Sequence, residues 1–188
     1  ADLRQRGVTR AADPRGQRPS PGRTAPGAAG CDRDRRHRER PNRRSAPGTA
    51  YFDTSALAPL VLAEPSTAVS RRAWYETDSV ASSSLAYVEV HTALAQANRM
   101  SRMTDTEHGM ATRAFEARWA QITPIAPVEE IIRDAARLGT AHALRGYDAV
   151  HCATAFAIAS SDLVAVSGDQ DLLRAWDALG IATVDTAG

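Results

Sequence analysis

Short apolar runs and amphipathic stretches alternate along the chain from Thr49 onward. Runs of four or five apolar or small residues, such as Leu163–Val166, have the length of a buried strand. Between them lie longer stretches in which apolar residues recur every three or four positions, the spacing of one helix face. The pattern predicts strands at 49–53, 79–82, 122–125, 163–166 and 181–184, and helices at 55–62, 66–76, 85–99, 105–121, 128–144, 147–159 and 169–179.

The order of these elements predicts an α/β fold. Strands that alternate with helices and are apolar on both faces form a parallel sheet covered by helices on both sides, a three-layer arrangement. The helix at 147–159 is apolar on nearly every side, so we expect it to be central and fully buried. Ligands of such folds bind at the carboxyl ends of the strands, which is where functional residues are expected.

The first 48 residues have a different composition. They contain 13 Arg and 5 acids, a net charge of +8, whereas residues 49–188 contain 10 Arg and 17 acids, a net charge of −7. Leu3 and Val8 are the only large aliphatic residues before Thr49. Such a segment cannot bury enough apolar area to offset the entropy of ordering it. We therefore predict a disordered tail at 1–48 and one domain at 49–188. The Arg-rich run 33–44 suits contact with RNA phosphates or an acidic partner, or is simply a solvated extension.

Composition also excludes several classes of protein. No apolar run approaches the roughly 18 residues of a membrane span, and the N-terminal residues lack the apolar segment of a secretory signal. Cys31 and Cys152 alone make neither a disulfide framework nor a zinc knuckle. We expect a cytoplasmic protein without a membrane partner.

Four acidic residues occupy positions where an acid is costly. Asp53 ends the first strand, and Asp169 follows the fourth strand where the chain turns into a helix. Asp148 opens the most apolar helix of the chain. Glu89 shares a predicted helix stripe with Leu85, Thr92 and Ala93 and is expected to point inward. Buried acids are unusual unless they are paired or bind a metal.

Each of these acids alone has a simpler explanation, as a helix cap or as the partner of an arginine. Together they are better explained as one site, because three of them lie where this fold places its ligands. A carboxylate cluster without a set of Cys or His ligands suits Mg²⁺ or Mn²⁺. Such ions support phosphodiester cleavage, since they activate water and stabilise the charge of the transition state.

Four segments of the chain carry a family resemblance. In order they are Tyr51–Leu57, Ser82–Val90, Arg145–Ala155 and Val166–Leu173. They resemble the four acidic motifs of PIN-domain ribonucleases, and the likeness is greatest to the VapC-like toxins of bacterial toxin–antitoxin pairs. The resemblance extends over about 49–186, essentially the whole predicted domain.

The resemblance implies an endoribonuclease that depends on Mg²⁺ or Mn²⁺, acts on RNA, usually forms a homodimer and is held silent by a cognate antitoxin. It assigns the catalytic and metal-binding acids to Asp53, Glu89, Asp148 and Asp169. Ser167 matches a small hydroxyl residue that supports the fourth acid. The basic tail is not part of the family pattern. Asp171 leaves open which aspartate is the fourth ligand, although its spacing from Ser167 favours Asp169.

Two other functions remain open. A Mg²⁺-dependent phosphohydrolase would use Asp53 as nucleophile, but such enzymes usually carry a second Asp two positions later, where this chain has Ser55. A catalytically inactive PIN-like binding module would keep the fold without the reaction. His151 and Cys152 follow Asp148 at a spacing that can bind zinc, but on so apolar a helix we expect them to be packing residues.

Overall fold

The computed structural model describes residues 48–188, so the predicted tail lies outside the described residues except for Gly48. The strands are β1 (Thr49–Phe52), β2 (Ser79–Ser83), β3 (Ile122–Ile125), β4 (Leu163–Ser167) and β5 (Ala182–Asp185). The α-helices are α1 (Thr54–Leu57), α2 (Thr67–Tyr75), α3 (Leu85–Arg99), α4 (Asp105–Trp119), α5 (Glu129–His142), α6 (Gly146–Ala157) and α7 (Gln170–Ala178). A 3₁₀ turn at Ala58–Leu60 continues α1.

The five strands form one parallel sheet in the order β3-β2-β1-β4-β5, which confirms the predicted α/β class. Tyr51 in the central strand pairs with Ala81 on one side and with Ala165 on the other. The chain moves outward from β1 through β2 to β3, then returns to β4 on the opposite side of β1. The crevice at the carboxyl ends of β1 and β4 is therefore the switch point at which such sheets bind ligands.

Alternate residues of β1 anchor two separate cores. Tyr51 packs on one face of the sheet with Leu138 and Trp176, among side chains from α5, α6 and α7. Phe52 packs on the other face with Leu94 and Phe115, among side chains from α1, α3 and α4. Because successive strand residues point to opposite faces, this short strand fixes both helical layers.

The predicted bounds agree with the structure to within two residues except for the first helix, and one prediction of burial is also wrong. The first helix ends at Leu57 rather than at residue 62, because Pro59 has no backbone N–H and cannot continue an α-helix. The expectation that 147–159 is buried all round is wrong: Tyr147 is 65% exposed and Phe156 37% exposed. The buried residues of α6 are Ala149 and the run His151–Ala155. Within residues 48–188 no helix is long and apolar enough to cross a membrane.

Candidate active site

Asp53 lies directly after β1 and is tied to β4. Its backbone N–H donates to the carbonyl of Val166 at 3.2 Å. Its side chain is the N-cap of α1, where Oδ1 accepts from the backbone N–H of Ala56 at 3.0 Å and from Ser55 Oγ at 2.8 Å. Oδ2 accepts from Ser167 Oγ at 3.0 Å. The residue is only 5% exposed, so the carboxyl group is held rigidly and almost without water.

Burial raises the pKa of Asp53 above its ordinary value of 3.8. The nearby His151 and the hydrogen bonds from Ser55, Ala56 and Ser167 act in the opposite direction, but they do not cancel the cost of desolvation. The charged form of Asp53 is thus the costly one in the metal-free fold. A bound cation would relieve that cost.

Asp169 occupies the equivalent place after β4 and caps α7. Its Oδ1 accepts from two backbone N–H groups of the first turn of α7, at 2.9 and 3.0 Å. Its own backbone N–H donates to Ser167 Oγ at 2.9 Å. Its Oδ2 faces Arg145, whose Nη2 lies 3.0 Å away. Asp171 instead pairs with Arg174 on an exposed part of α7. The geometry therefore directs Asp169, and not Asp171, toward the other acids.

Asp148 lies in the first turn of α6 and shares one guanidinium with Asp169. Arg145 Nε donates to Asp148 Oδ2 at 2.7 Å while its Nη2 donates to Asp169. The two carboxylates raise the pKa of Arg145 still further, first through the hydrogen bond to Asp148. Asp148 and Asp169 therefore lie close enough together to share one positive charge. Both acids are about one-fifth exposed, whereas Arg145 is 80% exposed.

Glu89 lies at the edge of the buried face of α3. The predicted inward stripe was wrong, because the buried residues of the helix are Ala86, Val90, Leu94 and Ala97. The Glu89 side chain is 22% exposed and accepts at Oε2 from Thr54 Oγ1 at 2.6 Å. Burial alone would raise its pKa, but hydrogen bonds from His151 and Thr54 outweigh burial and lower the pKa below 4.5. Glu89 is therefore held in its charged form.

His151 is a contact of the candidate site that the sequence analysis did not predict. It is 2% exposed, its Nε2 lies 2.8 Å from Glu89 Oε2, and its Nδ1 lies 2.8 Å from the hydroxyl of Tyr51. Because the charged carboxylate of Glu89 can only accept, Nε2 carries the proton of that hydrogen bond. Burial raises the pKa of Tyr51. The expectation of plain packing holds for Cys152, which is fully buried and whose pKa burial raises to about 11.

A cavity of about 440 Å³ opens beside these acids. Its wall is formed by Glu89, Arg145, Gly146, Tyr147, Asp148 and Val150. Glu89 and Asp148 thus border one space, while Ser167 joins Asp53 to the backbone of Asp169. The four acids are therefore linked in pairs: Asp53 with Asp169 through Ser167, Asp148 with Asp169 through Arg145, and Glu89 with Asp148 along the cavity wall.

The donor chemistry of these residues fits Mg²⁺ or Mn²⁺, since four carboxylates offer the oxygen ligands that hard cations prefer. In the described part of the chain, however, no group of three or more His, Cys, Asp and Glu side chains is arranged to hold a metal ion. Arg145 lies between two of the acids and supplies the positive charge there. An ion shared by Asp148 and Asp169 requires the exposed Arg145 side chain to turn away.

Comparison with known proteins agrees with this fold. The PIN domain family matches residues 50–177, so the chain belongs to that family. Ribonuclease VapC45 and Ribonuclease VapC49, each from a strain of Mycobacterium tuberculosis, are 39% identical to it over 122 residues, which are 65% of this chain and 85% of each relative. The crystal structure of M. tuberculosis VapC20, a Sarcin-Ricin loop cleaving toxin, superposes with a TM-score of 0.54 at 20% identity, covering 72% of this chain and 98% of that one. At that identity the last likeness supports the fold alone.

Proposed function

We propose that this protein is a metal-dependent endoribonuclease that acts as the toxin of a toxin–antitoxin pair. One observation carries the proposal: Asp53 and Asp169 follow adjacent parallel strands, and Ser167 links them at the point where this class of sheet binds ligands. The ribonuclease names of its relatives support hydrolysis of RNA. The Mg²⁺ or Mn²⁺ requirement rests on the carboxylate donor set and on the family resemblance.

In this proposal Asp53, Glu89, Asp148 and Asp169 are the metal ligands. A bound Mg²⁺ or Mn²⁺ would supply an activated water and positive charge for the transition state. The chain's own contribution is to hold the ligands in place. Thr54 and His151 both donate to Oε2 of Glu89, which leaves Oε1 to face an ion.

Ser167 has the corresponding role for Asp53 and Asp169, the two acids that follow strands. Its hydroxyl donates to Asp53 Oδ2, and its oxygen accepts from the backbone N–H of Asp169. The same side chain thereby fixes one carboxylate directly and the other through its backbone. These contacts keep both acids oriented before any ion or substrate arrives.

RNA, a cognate antitoxin and a second copy of the chain are the proposed partners, and the cytoplasm is the proposed compartment. Residues 49–188 carry a net charge of −7, so RNA binding depends on the metal and on local arginines rather than on the overall field. Several large apolar side chains away from the cavity are exposed and suit protein partners: Val88, Val128, Ile132 and Phe156.

The test is cleavage of RNA by the purified full chain in Mg²⁺ or Mn²⁺ and in EDTA, with a phosphate monoester as a second substrate. The proposal predicts internal cuts in RNA that stop in EDTA and no release of phosphate from the monoester. Monoester hydrolysis without RNA cleavage would support the phosphohydrolase alternative. If neither substrate reacts while RNA or a partner still binds, the inactive binding module is the better explanation.

A further inference from the structure

Tyr147 lines the 440 Å³ cavity. It is 65% exposed, and within residues 48–188 it makes no hydrogen bond, ion pair or ring contact. Exposing an aromatic ring costs hydrophobic free energy, so a ring left free beside a functional cavity suits contact with a ligand. Its neighbours in the cavity wall, Arg145 and Asp148, belong to the candidate site.

The cavity has two kinds of wall. Gly146, Val150 and the ring of Tyr147 contribute apolar lining, while Glu89 and Asp148 are two of the proposed metal ligands. Its volume lies within the roughly 300–1,000 Å³ typical of small-ligand pockets, which accommodate a nucleoside. An apolar slot bounded by an aromatic ring suits a flat base better than it suits a charged group.

Arg145 lies at the same rim with an 80% exposed guanidinium. Arginine binds phosphate bidentately, and this one already spans two oxygen groups, Asp148 Oδ2 and Asp169 Oδ2. Because Arg145 itself lines the cavity, a guanidinium released from these acids would be within reach of a sugar–phosphate backbone bound there. One rim thus combines a cation for phosphate with a ring for a base.

We propose that this cavity binds the base of one nucleotide next to the cleaved phosphodiester, with Tyr147 stacked on that base and Arg145 on the adjacent phosphate. The assignment rests on the proposed ribonuclease function and adds a substrate contact to it. Stacking accepts every base, because each has a flat face, so Tyr147 contributes affinity and position more than sequence choice. The occupant is RNA rather than a protein segment, since the cavity is continuous with the acids that would act on a phosphodiester.

The first test compares cleavage by wild type, Tyr147→Ala and Tyr147→Phe, with Tyr75→Ala as the matched control. Tyr75 is 74% exposed on α2 and does not line the cavity. Loss of one base stack is expected to lower kcat/KM about tenfold or more for Tyr147→Ala, mainly through KM. Tyr147→Phe keeps the ring and should stay within about threefold of wild type, as should Tyr75→Ala. Unchanged kinetics for Tyr147→Ala would overturn the assignment.

The second test needs no cleavage. Short RNAs carrying the fluorescent base 2-aminopurine at successive positions are bound to the Asp53→Asn protein, with and without Tyr147→Ala. Stacking quenches 2-aminopurine, so one position should be quenched on binding and should recover its fluorescence with Tyr147→Ala but not with Tyr147→Phe. Equal quenching at every position in all variants would overturn the proposal. So would a Tyr147→Ala protein that loses self-association or binding of a protein partner while its RNA binding is unchanged.

The two tests separate the two proposals. If Tyr147→Ala cleaves RNA as well as wild type does, the proposed base subsite is refuted and the ribonuclease proposal is unaffected. If quenching depends on Tyr147 but the wild-type protein cuts no RNA, the ribonuclease proposal is refuted and the base subsite is unaffected.

Discussion

The imidazole Nε2 of His151 lies 2.8 Å from Oε2 of Glu89, although the two residues are 62 positions apart in the chain. The other ring nitrogen contacts the Tyr51 hydroxyl at the same distance, so the histidine is held from both sides inside the core. A buried ring fixed in this way fixes the carboxylate in turn. His151 is therefore a positioning residue for Glu89.

Replacing His151 should weaken metal binding, and a replacement that keeps an N–H donor should weaken it less. His151→Leu removes the hydrogen bond to Glu89, and we expect Mn²⁺ affinity to fall about tenfold or more, as for other residues that orient metal ligands. His151→Gln offers an amide N–H in place of Nε2 and should recover part of that loss. Calorimetric titration with Mn²⁺ measures both. Equal affinities for wild type and His151→Leu would remove the positioning role.

The raised pKa of Asp53 predicts how the metal-free protein responds to pH. Because the folded pKa lies above the ordinary value of 3.8, deprotonation favours the unfolded chain, and stability is lost as pH rises from about 3.8 through the folded pKa. Asp53→Asn removes this loss and retains a side chain that caps helices well.

In EDTA at pH 7 we expect Asp53→Asn to melt at least about 2 °C above wild type, with the difference shrinking toward pH 4. Thermal melts between pH 4 and 8 check this. A variant that melts below wild type at pH 7 would show that the hydrogen bonds of the carboxylate outweigh its desolvation.

Helix α5 offers a matched pair for testing the core. Leu138 is 1% exposed and belongs to the core under Tyr51, whereas Ile132 on the same helix is 45% exposed. Leu138→Ala should lower the free energy of unfolding by about 3 kcal/mol, and Ile132→Ala by less than about 1 kcal/mol. Urea denaturation measures both changes. Similar losses would mean that the exposed face of α5 is covered in solution, for example by a second copy.

Removal of the Arg-rich N-terminal segment tests the predicted domain boundary. A chain that begins at Thr49 should keep the melting temperature of the full chain, because residues 1–48 have too few apolar side chains to build a core. If the segment contacts RNA, only affinity at low salt should fall, since phosphate contacts are screened by salt. A large drop in melting temperature would show that the segment packs on the domain.

The fold was predictable because local signals agreed with one another. Strand β1 is short and apolar and ends abruptly at Asp53, and the run that forms β4 ends in the same way before Asp169. Each acid caps the next helix, so a pattern of apolar run, then acid, then amphipathic stretch marks both strand ends and both site residues. The alternation of strands with helices then predicted a parallel sheet.

What the sequence could not predict depended on long-range packing. The burial of α6 was overestimated because composition does not reveal that Tyr147 and Phe156 face outward. His151 looked like a packing residue because its partners, Tyr51 and Glu89, come from β1 and α3. The Arg145 bridge likewise needs α6 and α7 to be placed side by side before Asp148 and Asp169 can share one cation.

The central claim is that Asp148 acts with the strand-end acids in metal-dependent RNA cleavage. The most direct measurement is the rate of RNA cleavage at saturating Mn²⁺ by wild type, Asp148→Asn and Asp171→Asn, each shown to be folded by its thermal melt. Asp148→Asn removes a proposed charged ligand with almost no change in volume and should cut at least about 100-fold more slowly. Asp171→Asn, on the exposed side of α7 with Arg174, should stay close to wild type. Near wild-type cleavage by Asp148→Asn, or equal loss in both variants, would contradict the assignment.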